Sequence, residues 1–158
     1  MTLAVDARDP DAIDDLYAAV DDIDGDLSAQ VNNAAYADNV SVLECDRAEW
    51  DRTIETNLRG FHLCTRAAAE RMKDSGGGAV VNVTVSETGG VSEKIAYMSS
   101  KEGIKGYTKS AALDLAPHGI RVNAVGSGLI GSSVGSHADA DSDEVEARDE
   151  RNAHRIPV

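Results

Sequence analysis

Apolar residues along this chain follow two alternating rhythms. Short β-branched or small-residue runs, "TLAV" (2–5), "SAQVNN" (28–33), "AVVNVTV" (79–85) and "IRVNAVGSG" (120–128), are bounded by Gly, Asp, Asn or Ser and read as strands. Between them the period lengthens to that of a helix. In "DPDAIDDLYAAVDDI" the stripe is Ile13, Leu16, Tyr17 and Val20, with Asp9 placed to cap and Pro10 in the first turn. Over roughly 47–74 it is Trp50, Ile54, Leu58, Phe61, Ala68 and Met72; Asp46 with Glu49 resembles a capping box, and "SGGG" stops the run. A third helix spans 95–115 and is broken by "PHG". Gln30 is out of place in a strand that should be apolar on both faces.

Strands that alternate with long helices predict a parallel α/β sheet with right-handed crossovers. The chain reads as a single domain, 1–158, in which the polar, acidic stretch 131–158 is expected to be a mobile loop with a short helix near Glu144–Arg151.

Charge changes the picture in one respect. Asp and Glu number 28 against 15 Lys and Arg, for a formal net charge of −13, which argues against nucleic acid or an anionic membrane as partner. An acidic, lysine-poor surface suits a salt-rich cytoplasm, where screening removes its self-repulsion, and a halophilic adaptation is one of two readings, a merely acidic surface the other. The N-terminus lacks the features of a signal sequence, and no run of about 18 apolar residues exists, so a cytoplasmic protein without a membrane span is expected. Cys45 and Cys64 are expected to be free thiols, and the four histidines lack metal-ligand spacing, so no metal site is expected.

The candidate chemistry lies at the strand ends, where open α/β sheets build their sites. Asp6 ends the first run, Asn32 to Ala35 the second, Thr84 to Ser86 the third, and Ser127 with Gly128 the fourth. Tyr97 and Lys101 are spaced i, i+4 on the 95–115 helix, so an ammonium stands near a phenol and would draw its pKa down from about 10. A phenol so tuned gives and takes protons.

Taken together, Asp6, "NNAA" (32–35), "NLRG" (57–60), "VVNVTVS" (80–86), "YMSSK" (97–101) and "IRVNAVGSG" (120–128) resemble the short-chain dehydrogenase/reductase family. The Y-x-x-x-K element alone is unspecific; the ordered set is specific. The resemblance implies a Rossmann-like, doubly wound parallel sheet and NAD- or NADP-dependent hydride transfer between an alcohol and a ketone or aldehyde. It implies Tyr97 as general acid/base, with Lys101 lowering its pKa and holding the nicotinamide ribose. Asn57 would hold a proton-relay water, and a serine would polarise the carbonyl. Asp6, Asn32, Ala34, Gly128 and Ile130 would contact the cofactor, together with Tyr97 and Lys101. A homo-oligomer, dimer or tetramer, would form through the two long helices. Small residues Ser99, Gly103, Gly106 and Ser110, an apolar ladder of Ile104, Tyr107, Ala111 and Leu115, and Phe61, Cys64 and Ala68 on the first long helix all point to the same contact.

The sequence departs from the family at several points. Val85 stands three residues after Asn82, where the catalytic serine is usual; Ser86 follows it and Thr84 precedes it, and Ser86 is preferred. Ala35 replaces a glycine and Ser127 a proline. The glycine-rich pyrophosphate turn, the family's first two strands and its last strand are missing from the pattern, so an incomplete sheet and weak cofactor binding are expected. The rival reading is a non-catalytic remnant serving at most as an assembly partner.

Overall fold

The computed structural model describes residues 1–37, 39–86 and 90–128. Ile130 and the 131–158 region therefore lie outside the described residues. Elements run α1 (Pro10–Asp21), β1 (Ala29–Asn32), α2 (Arg47–Ile54), a π-turn (Glu55–Arg59), α3 (Gly60–Met72), β2 (Gly78–Val85), α4 (Ile95–Leu115), a 3-10 turn (Ala116–His118) and β3 (Ile120–Ser127). The strands form one parallel sheet in the order β1-β2-β3, with Asn32 opposite Asn82 and Asn82 opposite Ala124.

Caps start the helices where the sequence places them. The Asp9 carboxylate accepts from the backbone N–H groups of Asp11 and Ala12, with Pro10 at the first position of α1. The Asp46 carboxylate accepts from the Glu49 N–H at 2.8 Å. The return turns rely on glycine: Gly77 has φ 97°, and a Cβ on it would sit 2.3 Å from the Gly119 carbonyl oxygen. The α3–β2 and α4–β3 turns thus touch backbone to backbone.

One core holds α1, α3, α4 and a single face of the sheet. It contains Ile13 and Tyr17 of α1, Ala68 and Met72 of α3, Ala111 of α4, and Val80, Ile120 and Val122 of the strands. Along β2 the buried positions are Val80, Asn82 and Thr84, while the residues between them are only half-buried. The opposite face is open: Val31 is 60% and Val125 55% exposed, and no described helix covers them.

The core also carries a polar chain that accounts for Gln30. The Tyr17 hydroxyl donates to the Gln30 Oε1 at 2.8 Å and Gln30 Nε2 to the Asn32 Oδ1 at 2.9 Å. Asn32 Nδ2 donates to Asn82 Oδ1 and Thr65 Oγ1, and Asn82 Nδ2 to Thr108 Oγ1. Buried amides are costly unless bonded, and this chain bonds them while tying α1, β1, β2, α3 and α4 together.

Three expectations are corrected. "TLAV" is not a strand: residues 1–6 are irregular, with Met1 and Leu3 exposed, because no described strand lies beside them to complete a ladder. The apolar stripe of 47–74 holds at Phe61, Ala68 and Met72 but not at Trp50, which is 39% exposed; Thr53, Asn57 and Thr65 complete the buried row. The α4 ladder, expected to leave apolar surface for a partner, is partly taken up by this chain's own core: Ile104 and Ala111 are buried, and Tyr107 and Leu115 pack against it half-buried.

Candidate active site at the carboxyl ends of the strands

Parallel strands end together, so β1, β2 and β3 deliver Asn32, Ser86 and Gly128 to one edge of the sheet. Helix α4 begins beside that edge and brings Tyr97 and Lys101 in its first two turns. The π-turn brings Asn57 against α4 from the other side. Such turns widen a helix by one residue and often mark functional positions.

Asn57 is fully buried. Its Oδ1 accepts the Tyr36 N–H at 2.7 Å, and its Nδ2 donates to the Tyr36 carbonyl at 2.9 Å and to Ser100 Oγ at 3.0 Å. One lone pair of Oδ1 is left by these bonds. The Ser100 hydroxyl donates in turn to the Tyr97 carbonyl at 2.6 Å. Ser100 is a site residue that the sequence reading passed over; its signal was a hydroxyl three residues after Tyr97, the spacing at which a helical serine bonds back to the preceding turn.

Lys101 is buried, and its ammonium donates to the Val83 carbonyl at 2.9 Å. It lies 5.6 Å from the Tyr97 ring centroid and 5.5 Å from that of Phe61. Burial lowers its pKa to about 8. Burial also pushes the Tyr97 phenol up from its ordinary value. This corrects the expected electrostatics: the ammonium lies 5.6 Å from the ring centroid, and burial alone sets the direction of the phenol's shift. Lys94, held by Asn39 Oδ1 at 2.6 Å, also lies over the Tyr97 ring, at 5.7 Å.

The two candidate hydroxyls on β2 differ sharply. Thr84 is 2% exposed and donates to the Lys101 carbonyl at 2.8 Å. Ser86 is exposed, its N–H held by the Ser127 carbonyl at 2.9 Å, and a Cβ on Gly128 would stand 3.9 Å from its Oγ. Side chains alternate along a strand, so Ser86 continues the row of Asn82 and Thr84 that faces α4, whereas Val85 belongs to the opposite row.

Of the expected cofactor contacts, Ala34 is exposed in the turn after β1, and Gly128 is exposed after β3. The Asn32 side chain, by contrast, is committed to Gln30, Thr65 and Asn82, so only its backbone faces the strand end. Asp6 is exposed, and its carboxylate is held by Arg8 at 2.6 Å, which keeps its pKa at about 2. An adenine amino group at Asp6 would therefore share the carboxylate with Arg8. Tyr97, Lys101, Asn57 and Ser100 come together; Ser86 and Gly128 form the neighbouring wall at the strand ends; Asp6 stands apart, linked to the π-turn through Arg59, which donates to the Arg8 carbonyl at 2.6 Å.

The profile of a family described as Enoyl-(Acyl carrier protein) reductase matches residues 1–156. The chain is 34% identical over 160 residues to L-rhamnose 1-dehydrogenase (NAD(P)(+)) of Azotobacter vinelandii, covering 100% of this chain and 61% of that protein. It is 38% identical over 136 residues to the 3-oxoacyl-[acyl-carrier-protein] reductase of Staphylococcus aureus, covering 85% of this chain and 52% of the relative. Among solved structures, a candidate short-chain alcohol dehydrogenase of Sinorhizobium meliloti superposes with a TM-score of 0.87 at 34% identity, over 98% of this chain and 60% of that one. The chain thus spans between half and two thirds of the length of these proteins.

Proposed function

Since the chain belongs to the short-chain dehydrogenase/reductase family, we propose that it serves NAD- or NADP-dependent interconversion of an alcohol and a ketone or aldehyde, with Tyr97 as the acid/base. The reading rests above all on one observation: the half-buried Tyr97 is backed by the buried pair of Lys101 and Asn57 at the carboxyl ends of three parallel strands.

The exposed strand ends, with small residues at Ala34 and Gly128 and an ammonium at Lys101, suit a nicotinamide nucleotide. Lys101, Tyr97 and Gly128 would hold its nicotinamide end, and Ala34, the Asn32 backbone and Asp6 its adenosine end. When bound it supplies hydride transfer. The chain's own residues handle the oxygen. Ser86 donates a hydrogen bond to the substrate oxygen and fixes its position. Tyr97 gives the proton to that oxygen in reduction and takes it in oxidation. Asn57 offers its remaining Oδ1 lone pair to a relay water, and Lys101 passes the proton onward.

The test is direct. The chain is incubated with NAD or NADP and a panel of aldoses and simple secondary alcohols, and absorbance of the reduced nicotinamide is followed while binding is read by calorimetry. Turnover that needs Tyr97 is expected, at the weak cofactor affinity anticipated from the sequence. Folded protein with neither binding nor turnover would instead favour a non-catalytic assembly role.

A dimer is the assembly that the helix surface fits. With Ile104 and Ala111 turned inward, the outward face of α4 carries Ser99, Gly106, Ser110 and the 77% exposed Leu113, flanked by the charged Glu102, Lys109 and Asp114. Between α3 and α4 runs a groove of about 500 Å3 lined by His62, Arg66, Tyr107 and Leu115, among others. Small residues permit close approach, and a two-fold pairing closes the surface. Sedimentation in molar salt, which screens the acidic surface, is expected to give a dimer at tens of micromolar; a monomer there would sink this assignment.

A further inference from the structure

Lys101 is fastened to β2 at both of its ends. The Thr84 hydroxyl donates to its main-chain carbonyl at 2.8 Å, and its ammonium reaches back to the Val83 carbonyl at 2.9 Å. The first bond is surplus to secondary structure, because a mid-helix carbonyl is already an acceptor in the helix's own ladder. Thr84 is also the hydroxyl in a row of valines: Val80, Val81, Val83 and Val85 flank it, and valine would have the same shape and β-propensity. Burying a hydroxyl costs stability unless it is bonded. The Ser127 hydroxyl braces the arrangement from β3 by donating to the Thr84 carbonyl at 3.2 Å.

We propose that Thr84 is a positioning residue for Lys101, holding α4 at the depth where the ammonium rests on the Val83 carbonyl beneath the Tyr97 ring. Its functional meaning rests on the reading of Lys101 given above, while the fastening itself needs no cofactor. Thr84 then stands behind the site, and its hydroxyl is not the one that meets substrate. The groups packed on the ammonium are Val83 of β2, Phe61 of α3 and Tyr97 of α4 itself, of which only Tyr97 titrates. Lys94 faces the same Tyr97 ring.

The experiment reads the ammonium itself. The chain, labelled with 15N-lysine, has five lysines to resolve by NMR. In the cofactor-free wild type, Lys101 is expected to titrate near 8, in keeping with its burial, with ammonium protons slow to exchange. Thr84→Val is expected to raise that midpoint by roughly one pH unit or more towards 10.5 as the side chain gains water. Thr84→Ser, which keeps the hydroxyl, is expected to restore it. An unchanged midpoint in folded Thr84→Val overturns the proposal. Should Thr84→Val fail to fold, a wild-type Lys101 that titrates near 10.5 with fast-exchanging protons overturns it as well. The catalytic reading fails separately: loss of nicotinamide binding with these titrations intact leaves the positioning role standing.

Discussion

Replacing Tyr97 by phenylalanine is expected to lower turnover by about 10²–10⁴-fold, the range contributed by a positioned acid/base, with a smaller loss of nucleotide affinity. The ring stays, so its packing against Lys101 and Lys94 is kept, and only the proton carrier is lost. The pH dependence follows from the direction of the phenol's shift. Burial pushes the Tyr97 pKa up, so the protonated form dominates at neutral pH. Carbonyl reduction, which needs the acid, is expected to be flat through neutrality. Alcohol oxidation, which needs the phenolate, is expected to climb with pH until the phenol titrates. Initial rates in both directions between pH 6 and 10 check this. A Tyr97→Phe chain that retains the rising alkaline limb would mean that another base carries the proton.

Lys101→Met is expected to make the folded chain more stable at neutral pH. Burial moves the lysine from 10.5 in the unfolded chain to about 8 in the fold. A lowered folded pKa means that the fold disfavours the charged form. The penalty is full below pH 8, shrinks between 8 and 10.5, and vanishes above. The difference corresponds to about 3 kcal/mol at ~1.4 kcal/mol for each tenfold change. Methionine keeps the apolar stem and drops the charge. Urea unfolding of both chains at pH 7 should give the variant the higher midpoint, and the gap should narrow as pH approaches 10.5. A variant less stable at pH 7 would show that the Val83 bond and the two aromatic faces outweigh desolvation. A residue retained at a cost to stability is what a functional site leads one to expect.

Long-range contacts separate what could be read from the sequence from what could not. Helix α4 was legible to its ends, Ile95 and Leu115, because a helical run is punctuated there by Pro117 and Gly119. Strands β2 and β3 were legible from their β-branched residues. "TLAV" has the same local character and yet is no strand, because a strand exists only with a ladder partner. The π-turn at Glu55–Arg59 left no trace in composition, since "ETNLR" contains nothing that a helix refuses. Its effect is to keep residues spaced by four, Thr53, Asn57, Phe61 and Thr65, on one face, where an unbroken α-helix would carry them progressively around. Family membership was legible from the ordered motifs. The sequence preferred Ser86 to Thr84 only on spacing; that Thr84 is buried against α4 while Ser86 is exposed depends on strand phase, which the sequence does not show.

The sheet face that no described helix covers bears on how the chain responds to temperature. Unfolding raises the heat capacity mainly in proportion to the apolar surface newly wetted. Here Val31 and Val125 are already more than half wet in the native state, and the outward valines of β2 are only half-buried. Less apolar area is left to be exposed on melting than in a sheet covered on both sides. The free energy of unfolding should accordingly curve less with temperature, giving a broad, shallow stability dome with its cold side pushed lower.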